Sequence, residues 1–159
     1  MLYKDLLVAY DGSEPSQEAL VVAKDMVGDM PDASICILAV IPLGAVGVGV
    51  ESPIEPIGSV QQIFPDMETY EALLANAKES TVKSIEEQLE GQLDDLACKV
   101  SIETVAASKP ANGICEFAED NSVDMIVMGC RGLGALRSML GSVSYSVLHE
   151  ATCPVVTVK

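Results

Sequence analysis

The chain has 159 residues and a net charge of −15, from 24 acidic and 9 basic residues. This length fits one domain, residues 1–159, that buries about 68–70% of its unfolded surface. The strong negative charge disfavours general nucleic-acid binding and binding to anionic membranes, because its long-range field repels both.

The N-terminal segment predicts a strand, a turn and a capped helix. The start "MLYKDLLVAY" has no basic region followed by an apolar one, so we expect no secretory signal. Leu6–Tyr10 forms the first strand, and Asp11-Gly12-Ser13 turns the chain. Ser13 is a suitable N-cap for a helix that has Pro15 in its first turn.

The second strand, Ser34–Ile41, is nearly all apolar, and an irregular insertion at about residues 42–65 follows it. That insertion holds four of the eight prolines of the chain. The apolar run Ile35–Val50 is shorter than the roughly 18 to 20 residues of a membrane span, and its one proline and three glycines break a helix. Two interpretations of the insertion stay open: a lid over a crevice and an unstructured excursion.

The rest of the chain alternates between helical and strand patterns. The predicted elements are a long helix from Asp66 to near Leu93, a strand at Cys98–Val105, a helix capped by Ser108 with Pro110 in its first turn, a strand at Val123–Met128, a helix at Ser142–Glu150 and a strand at Pro154–Val158. This alternation is typical of βαβ units on a parallel sheet, so the fold class is α/β.

The five cysteines follow no metal-binding or redox spacing. The absence of such spacing predicts that they are reduced core residues of an intracellular, cytoplasmic protein. The five are Cys36, Cys98, Cys115, Cys130 and Cys153. The single histidine, His149, lies near a predicted helix end, where a cation is favourable without any catalytic role. We therefore expect no catalytic residue and no metal bound by protein side chains.

The segment "MGCRGLGALRSMLGSVSYSVLHEA", residues 128–151, concentrates four glycines and two of the few arginines at one strand exit. Glycines let the backbone approach phosphate oxygens closely, and a helix that begins at Ser142 directs backbone amides and a positive dipole end to the same place. Arg131 and Arg137 offset anionic charge there, although both also suit solvent-facing loop positions. A flexible connection without any ligand is the competing interpretation.

Other phosphate and nucleophile motifs do not match. The chain has no GxxxxGK[ST] sequence, and no GxGxxG sequence follows the first strand. It also lacks a GxSxG turn. A P-loop, a dinucleotide-binding motif of the Rossmann type and a serine-hydrolase site are therefore disfavoured.

Two stretches, "LLVAYDGS" and "DMIVMGCRGLGALRSMLGSVSYSVLHEATCPVVTV", resemble the universal stress protein family, and the likeness extends over essentially the whole chain. The resemblance implies a single-domain, doubly wound, five-stranded parallel sheet of order 3-2-1-4-5 with helices on both faces. It also implies a homodimer that forms through the last strand.

The resemblance further implies nucleotide binding, because nucleotide-binding members carry the pattern G-x2-G-x9-G-[ST]. Gly129, Gly132, Gly141 and Ser142 match it in type, but eight residues rather than nine separate Gly132 from Gly141. This shorter spacer bears on nucleotide affinity more than on the fold.

By resemblance, the ligand is ATP, or AMP or ADP, with Mg²⁺ held mainly by the phosphates. The implied contacts to adenosine and phosphates are Ala9, Asp11, Val40, Met128, Gly129, Arg131, Gly132, Gly141, Ser142, Val143 and Ser144. The implied function is a stress-response sensor or signalling module with at most slow ATP hydrolysis. Its alternative is a nucleotide-free, dimeric protein-interaction module of the same fold.

Some of these residues also have purely structural interpretations. Asp11 suits a turn that bonds its own backbone, and Ser142 suits a helix N-cap with or without phosphate. Met128 and Val40 are strand residues whose default place is the core, so their ligand contacts depend on the resemblance alone.

Overall fold

A computed structural model describes residues 3–43, 66–132 and 140–159. The strands are β1 Asp5–Ala9, β2 Ser34–Pro42, β3 Lys99–Ala107, β4 Met125–Gly129 and β5 Val155–Val158. The helices are α1 Glu14–Val27, α2 Met67–Gln88, α3 Pro110–Asp120 and α4 Ser142–Glu150. Most of the predicted insertion and most of the Gly132–Gly141 spacer lie outside the described residues.

The five strands form one parallel sheet of order β3-β2-β1-β4-β5, which confirms the predicted fold class and strand order. Ala9, the last residue of β1, lies opposite Leu38 of β2 and Met128 of β4. From β1 the chain continues to β2 on one side, whereas β4 lies on the other side. The strand order therefore reverses between β1 and β4, and such a point opens a crevice at the carboxyl ends of the strands.

Alternate residues of the central strands bury their side chains in two separate apolar layers. Leu6 and Val8 of β1 pack into the layer that α1 and α2 cover, whereas Leu7 packs into the layer under α3 and α4. All three are at most 1% exposed. Burial on both faces explains why these strands read as continuous apolar runs rather than as alternating ones.

Two predicted helix boundaries are wrong, each for a local reason. Helix α2 ends at Gln88 rather than near Leu93, and Gly91 follows with a φ of +74°. Helix α3 begins at Pro110, whose ring suits the first helical position, so the N-cap is the preceding Lys109 and not Ser108.

Among the described helices, none is long and apolar enough to cross a membrane.

The predicted bounds of α4, Ser142–Glu150, are confirmed, but the N-cap role predicted for Ser142 is wrong. Gly141 takes the N-cap position and makes no side-chain hydrogen bond there, so Ser142 is the first helical residue and not the cap. The backbone of Gly141 is held instead by a hydrogen bond across the glycine segment, residues 129–141, because its N–H donates to the Cys130 carbonyl at 2.8 Å.

Candidate functional site

The crevice at the strand-order reversal contains a cavity of about 1070 Å³. This volume is at the upper end of the roughly 300–1,000 Å³ typical of small-molecule sites. The carboxyl ends of β1, β2 and β4 line it together with residues of α2, α3 and α4. All the site residues predicted by resemblance lie on its wall, namely Ala9, Asp11, Val40, Met128, Gly129, Arg131, Gly132, Gly141, Ser142, Val143 and Ser144.

The turn after β1 presents one carboxylate oxygen of Asp11 to the crevice. Its other oxygen, Oδ1, accepts from the backbone N–H of Ser13 at 3.0 Å and from the Ser13 hydroxyl. Gly12 has a φ of +79°, which favours glycine at that position. Asp11 therefore has the predicted local turn role while it remains exposed at the cavity.

Asp11 Oδ2 lies directly against Gly132 of the glycine segment. A Cβ atom at position 132 would be 2.6 Å from this oxygen, so only glycine fits without moving the carboxylate. Gly129 is constrained more rigidly, since a Cβ there would be 2.7 Å from Pro15 Cβ and 2.8 Å from the Pro15 carbonyl carbon in the first turn of α1. These two glycines let the exit of β4 lie tightly against the turn after β1 and the start of α1.

Hydrogen bonds tie the two ends of the glycine segment together at Cys130. The Cys130 carbonyl accepts from the Gly141 N–H and from the hydroxyl of Ser144, both at 2.8 Å. Ser144 is 2% exposed, and its hydroxyl also lies 2.9 Å from the Gly141 carbonyl. The buried serine therefore fixes the first turn of α4 relative to the end of β4.

The first turn of α4 directs unpaired backbone donors toward the cavity. Tyr145 is the first α4 residue whose N–H bonds back to the Gly141 carbonyl. In an α-helix, the preceding N–H groups, here those of Ser142, Val143 and Ser144, have no intrahelical acceptor. These three residues line the cavity, and no side chain caps them. Such a helix start is a favourable anion site, because its amides and its dipole both attract negative charge.

Charge at the site is sparse. Arg131 is half-buried, lines the cavity and also borders a smaller neighbouring pocket with Glu14, Glu18 and Lys159. In the described part of the chain the only ion pair joins Lys4 and Asp32, so Arg131 makes no direct ion pair with a described residue. Arg137 lies outside the described residues.

Acidic side chains are equally rare on the cavity wall. Asp11 is the only acidic residue among its described lining residues. Within the ranges that the structure describes, no three His, Cys, Asp or Glu side chains converge to hold a metal ion. His149 lies in the last turn of α4 and does not line the cavity.

Apolar residues form the wall on the side of α3 and α4. Met128 is 5% exposed, and Ala9 and Val40 are partly buried against the same apolar layer. Gly113 of α3 allows this helix to approach Val40, because a Cβ at position 113 would be 3.2 Å from Val40 Cγ1. This wall suits a flat apolar group such as a base more than a charged one.

Sequence reasoning missed the wall that α2 contributes. Ser80, Ser84 and Gln88 line the cavity, and their spacing of four residues places them on one face of the helix. Gln88 Oε1 accepts from the Tyr10 hydroxyl at 3.2 Å, and Gln88 Nε2 donates to Ser84 Oγ at 3.3 Å. The uncharged polar residues at this spacing, among neighbours that are mostly charged, were the signal available in the sequence.

Comparison with known proteins identifies relatives over the full length. A model of the universal stress protein family matches residues 2–159. Universal stress protein MJ0531 of Methanocaldococcus jannaschii is 34% identical, with 99% of this chain and 83% of that protein covered. Universal stress protein YxiE of Bacillus subtilis is 31% identical, with 99% and 100% covered.

Solved structures share the fold. Protein MJ0577 of Methanocaldococcus jannaschii superimposes with a TM-score of 0.72 at 27% identity, covering 100% of this chain and 97% of that one. A universal stress protein solved in complex with cAMP has a TM-score of 0.56 at 21% identity, with 99% and 98% covered. One from Archaeoglobus fulgidus in complex with dAMP has a TM-score of 0.52 at 20% identity, with 100% of both chains covered.

Proposed function

The chain belongs to the universal stress protein family, and we propose that it binds an adenine nucleotide, with ATP as the principal ligand, in the crevice between β1 and β4. The observation that carries this proposal is the uncapped start of α4, whose amides at Ser142, Val143 and Ser144 open onto the same cavity as Asp11. The protein then acts as a stress-response sensor or signalling module, with at most slow ATP hydrolysis.

The charge distribution supports a particular orientation of the nucleotide. The phosphates take the end of the cavity with the α4 amides and Arg131, since that end holds the donors. Asp11 accepts hydrogen bonds from the uncharged sugar, and the base takes the apolar wall near Val40 and Met128. Mg²⁺ binds mainly through phosphate oxygens, because the described cavity wall offers a single carboxylate.

Isothermal titration of the purified protein tests the proposal. ATP, ADP, AMP, cAMP and dAMP are titrated separately with magnesium present; cAMP and dAMP are included because relatives of the same fold were solved with them. We expect ATP to bind, and Gly132→Ala to weaken it, because the new Cβ moves the Asp11 carboxylate out of the position from which it accepts from the sugar.

Asn112→Ala is the control, since this exposed residue of α3 does not line the cavity. It should leave ATP affinity close to that of the wild type. The absence of binding by all five nucleotides at millimolar concentration would exclude this function.

A nucleotide-free, dimeric interaction module of the same fold is the second candidate. Tyr145 and Leu148 on α4 are 64% and 45% exposed, and β5 pairs only with β4 among the described strands. These features support a homodimer through β5 in either function. We also propose that residues 1–159 form a single domain and that the protein is cytoplasmic. Light scattering of the wild type and of Val156→Lys measures the dimer; a monomeric wild type would contradict it.

A further inference from the structure

We propose that Gln88 and Ser84 on α2 bind the uncharged, nucleoside end of the ligand and thereby help to determine which nucleotide is accepted. This inference depends on the proposed nucleotide site and adds a wall that the glycine pattern does not include. Both side chains line the cavity. They lie on α2, which covers one face of the sheet, whereas α3 and α4 cover the other face.

A hydrogen-bond chain from a buried tyrosine orients these two exposed side chains. Tyr10 is 4% exposed and donates its hydroxyl to Gln88 Oε1, and the Gln88 amide nitrogen donates to Ser84 Oγ. Burial, and secondarily the Asp11 carboxylate, raise the pKa of Tyr10, so its hydroxyl remains a neutral donor. One N–H of Gln88 and the O–H of Ser84 are left to donate to an acceptor in the cavity.

The α2 wall is continuous with the phosphate end through the turn after β1. A Cβ at Gly12 would be 3.6 Å from Gln88 Oε1, and the next residue back, Asp11, contacts Gly132. Only Asp11 and Gly12 therefore lie between the Gln88 side chain and Gly132. A nucleotide whose phosphates lie at the α4 amides can reach Gln88 with its sugar or base.

The chemistry of the α2 wall matches a nucleoside rather than a phosphate. The described α2 residues on the cavity are Ser80, Thr81, Ser84, Ile85 and Gln88, and none carries a charge. The charged residues of the same turns, such as Lys83 and Glu86, do not line it. Neutral donors pair well with ring nitrogens and ribose oxygens, whereas a phosphate would receive no opposite charge on this side.

Titration of two probes into variants separates this role from a structural one. The probes are ATP, which has a nucleoside, and inorganic tripolyphosphate, which has only the phosphate chain. We expect Gln88→Met and Ser84→Ala each to weaken ATP binding by roughly 3- to 10-fold, the equivalent of one neutral hydrogen bond. Tripolyphosphate affinity, measured by competition with ATP, should not change.

Two further variants serve as controls. Gln92→Met removes an exposed amide four residues after Gln88, past the end of α2 and off the cavity wall. It should not alter either affinity. Tyr10→Phe leaves Gln88 in place but removes the group that orients it, so ATP affinity should fall less than in Gln88→Met. Tyr10 is thus a positioning residue.

The possible results have distinct meanings. Unchanged ATP affinity in both α2 variants would overturn the inference while leaving the nucleotide site intact. An equal loss for ATP and tripolyphosphate would also overturn it, because the variants would then be damaging the whole crevice. A wild-type protein that binds neither probe would refute the proposed function itself.

Discussion

Alanine at position 129 tests how tightly the end of β4 packs against the start of α1. The new methyl group would be 2.7 Å from Pro15 Cβ, 2.8 Å from the Pro15 carbonyl carbon and 3.0 Å from the Arg131 carbonyl oxygen. Backbone atoms form most of these contacts, so no side-chain rotation relieves them. We expect Gly129→Ala to lower the free energy of unfolding by about 1–3 kcal/mol, as overpacking of a core does.

Gly141→Ala provides the comparison within the same segment. Its Cβ contacts would be 3.4–3.5 Å, and the backbone φ of −66° suits alanine. The substitution should change the free energy of unfolding by less than about 1 kcal/mol, because the restriction of the unfolded chain by alanine is offset by its poorer fit to the N-cap position. Urea denaturation followed by far-UV circular dichroism measures both variants. Equal midpoints for Gly129→Ala and Gly141→Ala would refute the packing argument.

Three further predictions concern side chains at the strand ends. Ser144→Ala should lower the free energy of unfolding by about 1 kcal/mol in urea denaturation, because it removes the buried hydroxyl bond to the Cys130 carbonyl; an unchanged midpoint would contradict this. Arg131→Met should weaken ATP binding about tenfold in calorimetry, whereas Lys159→Met, in the neighbouring pocket, should not. Two backbone amides at the start of β1 lower the pKa of Asp124, so its carboxylate stabilises the fold above the unfolded value of about 3.9 and loses this effect at lower pH. The stability difference between wild type and Asp124→Asn should therefore disappear as the pH is lowered from about 3.9 through the lower pKa of the folded state. A difference that stays constant over this pH window would exclude the mechanism.

Local signals were sufficient for the strands, but they left the glycine segment open between a phosphate site and a flexible connection, and the individual site residues came from the family resemblance. The strands are apolar because both sheet faces are covered, and this leaves a continuous pattern in the sequence. The glycine at 129 has a strict steric requirement set by backbone atoms, and such a requirement is visible as residue identity. The strand order itself came from the family resemblance, since periodicity carries no information about which strands are neighbours.

Features that depend on contacts between distant segments could not be predicted. Ser142 looks like an N-cap locally, but the Cys130 carbonyl holds the Gly141 N–H and moves the cap back by one residue. The α2 wall was missed because its position depends on how the helix is rotated against β1. Tyr10, which sets that contact through Gln88, looks only like the last residue of a strand.

The proposed anion site has to attract phosphate within a strongly acidic chain. A protein with a net charge of −15 repels anions at long range, but this repulsion is screened beyond a Debye length of about 8 Å at physiological salt. Backbone amides at Ser142, Val143 and Ser144 act at hydrogen-bonding distance, well inside that length, and they add no net charge. A small nucleotide can therefore bind in the crevice while an extended polyanion such as nucleic acid, which cannot enter it, is still repelled. Because few cations take part, the affinity for ATP should fall less steeply with salt than at a site built from several lysines and arginines.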